Sequence, residues 1–180
     1  MTTNPPLTPE QARALFQNLS RMSPEEKLEA LELLDKSEDY KKRNVAKTDM
    51  IEFAKHVYPG FKVGPHHRKL AKIFSDVISG KKKRVIINIA PRMGKSEFSS
   101  YLFPAFFLGN FPEKKIIMGT HTAGLSEDFG RRVRNLIDSD DYKELFPSTT
   151  IADDQKAAGK WSTGSGGQYY AAGVGGALAG

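Results

Sequence analysis

Cysteine is absent from the 180-residue chain, which excludes disulfide bonds and thiolate metal sites and agrees with a reducing compartment. The chain also has no run of about 18 or more apolar residues, the length that a membrane-spanning helix requires. Its N-terminus lacks the basic segment followed by an apolar one that marks a signal peptide. We therefore expect a protein that stays in the cytosol where it is made.

Positive charge is in excess. The formal net charge is +6 and the sequence pI is about 9.4. Such an imbalance favours polyanions such as nucleic acid through long-range attraction. Ordinary solubility charge explains the same numbers equally well, so composition alone leaves both interpretations open.

Two helix starts lie near the N-terminus. Thr8 and Ser23 are each followed by proline at the first helical position and by Gln or Glu three residues after the cap. Apolar residues at helical spacing follow both caps. Residues 36–47 are rich in charge and poor in apolar side chains, so we predict a frayed helix end or linker there. The prediction for residues 1–47 as a whole is a helical segment and linker.

A more compact domain is predicted over residues 48–180. Helices are predicted at residues 49–58, 65–79, 95–108 and 123–137, and strands at residues 85–89 and 116–118. Residues 85–89 have the sequence VIINI, as expected for a parallel strand buried on both faces. The order strand, loop, helix, strand, helix predicts an α/β fold with a parallel sheet flanked by helices. The glycine-rich tail, residues 163–180, allows one more strand followed by a tight turn.

The sequence APRMGKSE at residues 90–97 has the features of a phosphate-binding loop. A glycine before the lysine lets the backbone approach an anion, the lysine neutralises β- and γ-phosphates, and the following hydroxyl binds magnesium. Gly94, Lys95 and Ser96 supply these groups, and the predicted strand holds the loop at the sheet edge. Consecutive N–H groups and the positive end of the next helix complete such a cradle. The alternative is a Gly-Lys-Ser turn that only opens a helix.

The loop lacks the glycine with which the pattern G-x-x-x-x-G-K-[ST] begins, since Ile89 occupies that position. Ala90 and Pro91 make the turn by another route, because proline fixes its own φ and keeps the preceding residue extended. No phosphate ligand is lost by this departure. Arg92 has two open interpretations: it reaches a γ-phosphate as an arginine finger in cis, or it pairs with solvent or a nearby carboxylate.

Three blocks of sequence resemble the N-terminal ATPase domain of the large terminase subunits of tailed bacteriophages. They are APRMGKSEFSS, IIMGTHTAGLSEDFGRRVRNLI and WSTGSGGQYYAAGVGGALAG. The likeness covers residues 50–180. The phosphate loop of that family lacks the first glycine and often carries an arginine, so Ile89 and Arg92 agree with it. The resemblance implies a P-loop NTPase that couples ATP hydrolysis to the threading of double-stranded viral DNA into a preformed capsid, in the cytoplasm of a bacterial host.

By match of motif, the resemblance implies a site for ATP and Mg²⁺ in this loop. Lys95 and Arg92 would be the catalytic residues, the first binding the β- and γ-phosphates and the second sensing charge. Ser96 would hold the magnesium ion. His66 lies in GPHHR, a segment where the family often places adenine contacts, and the alternative for this histidine pair is a surface cap at a helix start. The implied nucleotide-binding residues are Pro91, Arg92, Met93, Gly94, Lys95, Ser96, Glu97 and His66.

The resemblance also implies partners, namely double-stranded DNA, a portal protein, a small terminase subunit and further copies of the chain in a ring on the capsid, with no membrane. Arg131, Arg132 and Arg134 form a basic cluster that faces DNA or a neighbouring subunit, or is a solvated helix face. The block GTHT at residues 119–122 is expected at the C-terminal end of a strand, where such sheets contact ligands, or as a polar turn that caps the next helix.

Hydrolysis needs an acidic residue for magnesium and a carboxylate that orients the attacking water. The aspartates at 138, 140 and 141 and at 153 and 154 lack a preceding apolar strand, so we predict helix-end and loop acids. The resemblance places an apolar strand with paired acids after the GVGG block, where this sequence stops, and a nuclease domain beyond it. It therefore implies a truncated or split ATPase domain that binds nucleotide with little turnover.

Two other classes of protein stay open. A helicase-like P-loop ATPase has the same loop and differs in what stimulates it. A non-enzymatic interaction or assembly fragment would use the N-terminal helices to contact its partner.

Overall fold

The computed structural model describes residues 7–174, with residues 153–156 described by their backbone alone. Two compact units divide the chain, Met1–Val45 and Ala46–Gly180. Among the helices within residues 7–174, none is both long and apolar enough to cross a membrane.

The first unit is helical. Its elements are α1 (Pro9–Asn18), a 3-10 turn (Leu19–Arg21) and the greater part of α2 (Pro24–Thr48). Thr8 Oγ1 accepts a hydrogen bond from Gln11 N at 3.2 Å, and Ser23 Oγ accepts one from Glu26 N at 3.3 Å. The side-chain oxygens of Gln11 and Glu26 in turn accept hydrogen bonds from the backbone N–H groups of Thr8 and Ser23. Both predicted capping boxes are therefore confirmed.

The predicted frayed end or linker at residues 36–47 is wrong, because α2 continues as a helix to Thr48. Its surface carries opposite charges three or four residues apart. Lys36 Nζ lies 3.5 Å from Glu32, and Lys42 pairs with two acids of the preceding turn. Each such pair contributes only about 0.2–0.5 kcal/mol, but lysine and glutamate are also strong helix formers. A charged segment without an apolar stripe thus stays helical.

The second unit contains the remaining elements. They are α3 (Met50–Val57), α4 (Pro65–Ile78), a π-helical turn (Glu97–Leu102), α5 (Phe103–Asn110), β1 (Lys115–Thr120), α6 (Ala123–Ile137), α7 (Asp140–Leu145), β2 (Ile151–Lys156), β3 (Lys160–Thr163) and β4 (Gln168–Gly173). Asp49 begins α3, with its Oδ1 accepting from the N–H groups of Ile51 and Glu52 at 2.7 and 3.0 Å. The four predicted helices of this region are confirmed to within two residues at each end.

The core of the second unit is rich in aromatic rings. Phe53 lies 5.2 Å from Phe106 and 6.1 Å from Tyr142, measured between ring centroids. The hydroxyl of Tyr142 donates to the carbonyl of Ala105 at 2.9 Å, and burial raises the pKa of this phenol. The hydroxyl thus stays protonated and fixes α7 against α5, the last part of the helical run that follows the loop.

Within residues 7–174 the sheet has four strands in the order β1-β4-β3-β2. β1 pairs with β4 in parallel, whereas β4 with β3 and β3 with β2 pair antiparallel. The predicted α/β fold with helices beside the sheet is confirmed, but the predicted parallel sheet is wrong, since the sheet is mixed. β2, β3 and β4 follow one another through turns too short for a crossover helix, so they form hairpins. The parallel pair joins β1 and β4, which α6, α7, β2 and β3 separate along the chain.

Residues 85–89 form no strand. Ile86 is 97% exposed, while Ile87 and Ile89 pack partly buried against the core. The predicted strand buried on both faces is therefore wrong. β-branched residues favour a strand, but a strand is stable only when a neighbour bonds its N–H and C=O groups. Within residues 7–174 no strand pairs with this segment.

Candidate functional site

The loop at residues 91–94 turns sharply before a helical run that begins at Lys95. Two of its residues have left-handed backbone conformations, Arg92 with φ 63° and Gly94 with φ 71°. Glycine accepts this conformation freely, whereas an L-residue such as arginine pays about 1–3 kcal/mol for it. Arg92 is the only non-glycine residue with positive φ in the described chain. Turns that contain left-handed residues point successive N–H groups inward and form the concavities that bind anions.

Helical hydrogen bonding begins at the end of this turn. The N–H of Phe98 donates to the carbonyl of Gly94 at 2.9 Å. The N–H groups of Lys95, Ser96 and Glu97 lie in the first turn, where a helix has no internal acceptors for them and where its dipole is positive. Lys95 is half-buried and Ser96 is exposed. The predicted phosphate ligands therefore lie together at one helix start.

The first turns after the loop are π-helical, from Glu97 to Leu102. Phe103 N–H bonds Phe98 O, five residues back. Pro104 has no N–H, and its ring would meet the carbonyl four residues earlier in a regular α-helix. The wider π turn accommodates the proline. Such turns are frequent at functional sites, and here one lies between the loop and α5.

Two consecutive histidines connect the start of α4 to the loop. His66 Nε2–H donates to the carbonyl of Met93 at 2.9 Å. The Nδ1 atom of His67 accepts a hydrogen bond from Gly64 N–H at 3.0 Å. His66, predicted as a site residue, thus lies against the loop that contains the others.

A cleft of about 390 Å³ lies beside the loop. Arg92, Met93, Gly94 and Glu97 line it on one side, and the histidine pair and residues of the α3–α4 connection line it on the other. A larger cavity of about 540 Å³ lies among α3, α4 and α5 and contains no residue of the loop. The larger cavity has Arg68 and Lys72 in its lining, but it also has the acids Asp49 and Glu52. The smaller cleft is the one that the loop lines, although Lys95 and Ser96 are not part of its lining.

The predicted basic cluster on α6 is divided among separate partners. Arg131 pairs with Asp128, and Arg132 pairs with Glu97. Arg134 donates to Asn135 Oδ1 at 3.2 Å. The pairing of Arg132 brings α6 to the first turn after the loop, and it engages the carboxylate of Glu97 within the protein.

The aspartates predicted at helix ends and in loops lie at helix ends in one group and in a strand in the other. Asp138 is the C-cap of α6 and pairs with Lys143 at 2.7 Å, and Asp140 and Asp141 lie in the first turn of α7. Residues 153 and 154 lie in β2, so their prediction as loop acids is wrong. β3 supplies the partner that makes this polar segment a strand. Among the described side chains no group of three or more His, Asp or Glu residues is arranged to hold a metal ion.

The GTHT block lies at the C-terminal end of β1, as predicted. Thr122 Oγ1 accepts a hydrogen bond from Leu125 N at 3.3 Å and caps α6. Thr120 Oγ1 lies 2.6 Å from Ser126 Oγ, which donates to Ala172 O. These hydroxyls are therefore used to join β1, α6 and β4.

Sequence reasoning did not single out His67, whose buried ring faces the loop. The signal available for it is its position three residues after Gly64, where a side chain can bond back to the N-cap backbone. That pattern predicts a capping role but not the proximity to Gly94.

No protein-family model, curated protein or solved structure matches this chain.

Proposed function

We propose that this chain is the nucleotide-binding ATPase domain of a viral DNA-packaging motor of the large terminase kind, with Mg-ATP bound at residues 91–97. The observation that carries the proposal is the loop geometry. Left-handed conformations at Arg92 and Gly94 precede a helical run that begins at Lys95. Backbone N–H groups, a helix dipole and the side chain of Lys95 lie together at this turn, and Arg92 lines the adjoining cleft.

The residues present fit a triphosphate. Lys95, in the first helical turn, neutralises the β- and γ-phosphates, and Arg92, exposed in the loop, stabilises charge that develops at the γ-phosphate. The exposed hydroxyl of Ser96 is a ligand for magnesium. Magnesium keeps several waters and phosphate oxygens as ligands, so one protein hydroxyl is compatible with its binding. When bound, the nucleotide supplies the phosphoryl group to be transferred.

Turnover by this chain is proposed to be slow. Glu97 is the only acidic residue lining the cleft within the described chain, and its carboxylate pairs with Arg132. Phosphoryl transfer to water needs a group that orients the water, and in this fold class a second acid that holds the metal. Mg-ATP binding without appreciable steady-state hydrolysis is therefore the expected behaviour.

Double-stranded DNA is the proposed polyanionic partner, together with portal protein, small terminase subunit and further copies of the chain. The basic run at residues 81–84 is exposed. Lys81 and Lys82 engage Asp76, whereas Lys83 and Arg84 have no ion-pair partner among the side chains that the structure describes, which leave out residues 153–156. Replacing Lys83 and Arg84 with glutamine is expected to lower the salt dependence of DNA binding by roughly two charges.

Calorimetric titration with Mg-ATP tests the proposed nucleotide site. The wild-type chain is expected to bind, and Lys95→Ala is expected to bind at least about tenfold more weakly, because it removes a charge-assisted contact to phosphate. Lys36→Ala is the matched control, since Lys36 is an exposed lysine of α2. Equal affinity of Lys95→Ala and wild type, or no binding by the wild type, contradicts the proposal.

A further inference from the structure

His67 is buried in the first turn of α4 and is only 5% exposed. Its Nδ1 accepts the hydrogen bond from Gly64 N–H. In a neutral imidazole the nitrogen that accepts carries no proton, so the proton is on Nε2. His67 therefore presents a single N–H donor, at Nε2.

This donor has no hydrogen-bond partner among the described residues, although the Nε2 atom is buried. Buried N–H groups in native proteins are nearly always bonded, so the exception requires an explanation. Three other buried side-chain oxygens, in Ser37, Thr149 and Tyr169, are also unbonded in the described chain. None of those three belongs to the cleft, whereas His67 lines it.

The unbonded nitrogen faces the loop. A Cβ atom added to Gly94 would lie 3.1 Å from His67 Nε2. His67 lines the same cleft as Arg92, Met93 and Gly94. The absence of a side chain at Gly94 is what lets the imidazole approach the loop backbone so closely.

The surroundings of His67 favour a neutral ring. The ring centroids of Phe61 and Phe98 lie 4.9 and 5.1 Å from that of His67. Burial lowers the pKa of His67, and the adjacent His66 lowers it further. The side chain is therefore an uncharged donor in an apolar setting, where a hydrogen bond to an anionic oxygen is stronger than it is in water.

We propose that His67 Nε2–H donates a hydrogen bond to a phosphate oxygen of the ligand held by residues 91–97. The proposal rests on the proposed function and adds a neutral donor from α4 to the charged groups of the loop. The Nε2 atom is buried beside Gly94, so contact with a ligand requires a small backbone rotation there, which glycine permits. Ligand binding thereby satisfies a buried group that lacks a partner in the ligand-free chain.

Two substitutions distinguish the Nε2–H donor of His67 from its Nδ1 acceptor, which bonds Gly64 N–H. His67→Asn keeps an acceptor near the position of Nδ1 and removes the donor at Nε2. His67→Gln places an amide N–H near Nε2 and loses the acceptor to Gly64. Both variants and the wild type are titrated by calorimetry with Mg-ATP and with inorganic triphosphate. We expect His67→Asn to weaken both ligands by about tenfold or more, and His67→Gln to stay within roughly threefold of the wild type.

The outcomes distinguish the two proposals. A wild type that binds neither ligand overturns the proposed function. A wild type that binds both while His67→Asn binds as tightly overturns the donor role and leaves the proposed function standing. Weakening of Mg-ATP alone, with inorganic triphosphate unaffected, shows a contact to base or sugar and overturns the phosphate contact.

A measurement on the wild type needs no substitution and holds even if His67→Asn does not fold. The nitrogen and proton signals of the His67 ring are followed by NMR as inorganic triphosphate is added. We expect the Nε2–H signal to move downfield and its exchange with water to slow. A ring signal that does not change while the ligand binds contradicts the proposal.

Discussion

The guanidinium of Arg132 donates a hydrogen bond to the carboxylate of Glu97 and lies 4.3 Å from the ring centroid of Tyr101. Arg132 belongs to α6, and Glu97 belongs to the first turn after the loop. The helix that follows β1 therefore holds the start of the helix that carries the candidate phosphate ligands. Because the ion pair is partly exposed, its own contribution to stability is small, and the contact over the ring adds to it.

A double-mutant cycle measures this contact. We expect Glu97→Gln and Arg132→Met to show a coupling free energy of about 0.5–1 kcal/mol in urea unfolding, and the coupling should fall at high salt. Glu97→Gln with Arg131→Met is the matched control, because Arg131 pairs with Asp128 instead. Equal coupling in the two cycles, or none in the first, contradicts the assignment.

Gly94→Ala tests whether residue 94 must be glycine both for its left-handed backbone and for the close approach of His67. Gly80 has a similar left-handed φ of 74°, with nothing within 4 Å of an added Cβ. Gly80→Ala is expected to lose roughly 1–2 kcal/mol of unfolding free energy from backbone strain alone. Gly94→Ala is expected to lose more, because its Cβ would crowd His67, and to bind Mg-ATP more weakly.

Urea unfolding and Mg-ATP titration of both glycine variants provide the measurements. Comparable losses of stability, with nucleotide affinity unchanged at Gly94→Ala, would show that residue 94 is an ordinary turn position.

The lowered pKa of His67 predicts a dependence of stability on pH. The unfolded chain protonates His67 near its ordinary pKa of 6.5, whereas burial disfavours the charge in the folded chain. The unfolded state therefore binds more protons in this window, so the free energy of unfolding falls as the pH falls below about 6.5. The fall ends below the folded pKa, where both states are protonated.

Urea unfolding of the wild type and of His67→Gln at a series of pH values measures this effect. We expect the acid-side loss of stability to be smaller in His67→Gln, which has no titrating group at this position. Parallel curves for the two proteins, or an NMR titration midpoint for His67 above 6.5, contradict the prediction.

Ile86 and Ile87 provide a matched pair for the segment 85–89. Ile86 is 97% exposed, while Ile87 packs against the core. Ile86→Ala is expected to change the free energy of unfolding by less than about 0.5 kcal/mol, and Ile87→Ala to lower it by roughly 1–2 kcal/mol. Similar losses at both positions would indicate a strand buried on both faces.

Local patterns predicted the helices and the loop. The caps at Thr8, Ser23 and Asp49 each bond a backbone N–H two or three residues away, so the sequence contains everything that starts the helix. The loop residues 91–97 are contiguous, and their placement at one helix start follows from a single prediction. The end of α2 was harder to predict. Its last residues are mostly charged, so the apolar stripe from which a helix is predicted is missing there.

Strand pairing was less predictable because it depends on residues far apart in the chain. The apolar residues 85–89 remain without a strand among the described residues, while the polar residues 151–156 become β2 because β3 lies beside them. The unbonded donor of His67 was equally unpredictable, because the residues around its ring, Phe61, Phe98 and Gly94, come from separate parts of the chain. Side-chain contacts of this kind are set by the fold rather than by spacing.

The most direct test of the phosphate-binding loop follows its backbone amides by NMR during titration with Mg-ATP. The amide signals of Gly94, Lys95 and Ser96 are expected to shift most, because these N–H groups point at the bound phosphates. Inorganic triphosphate should shift the same signals. Nucleotide binding that leaves these three amides unchanged, with the largest shifts elsewhere in the chain, would contradict the account.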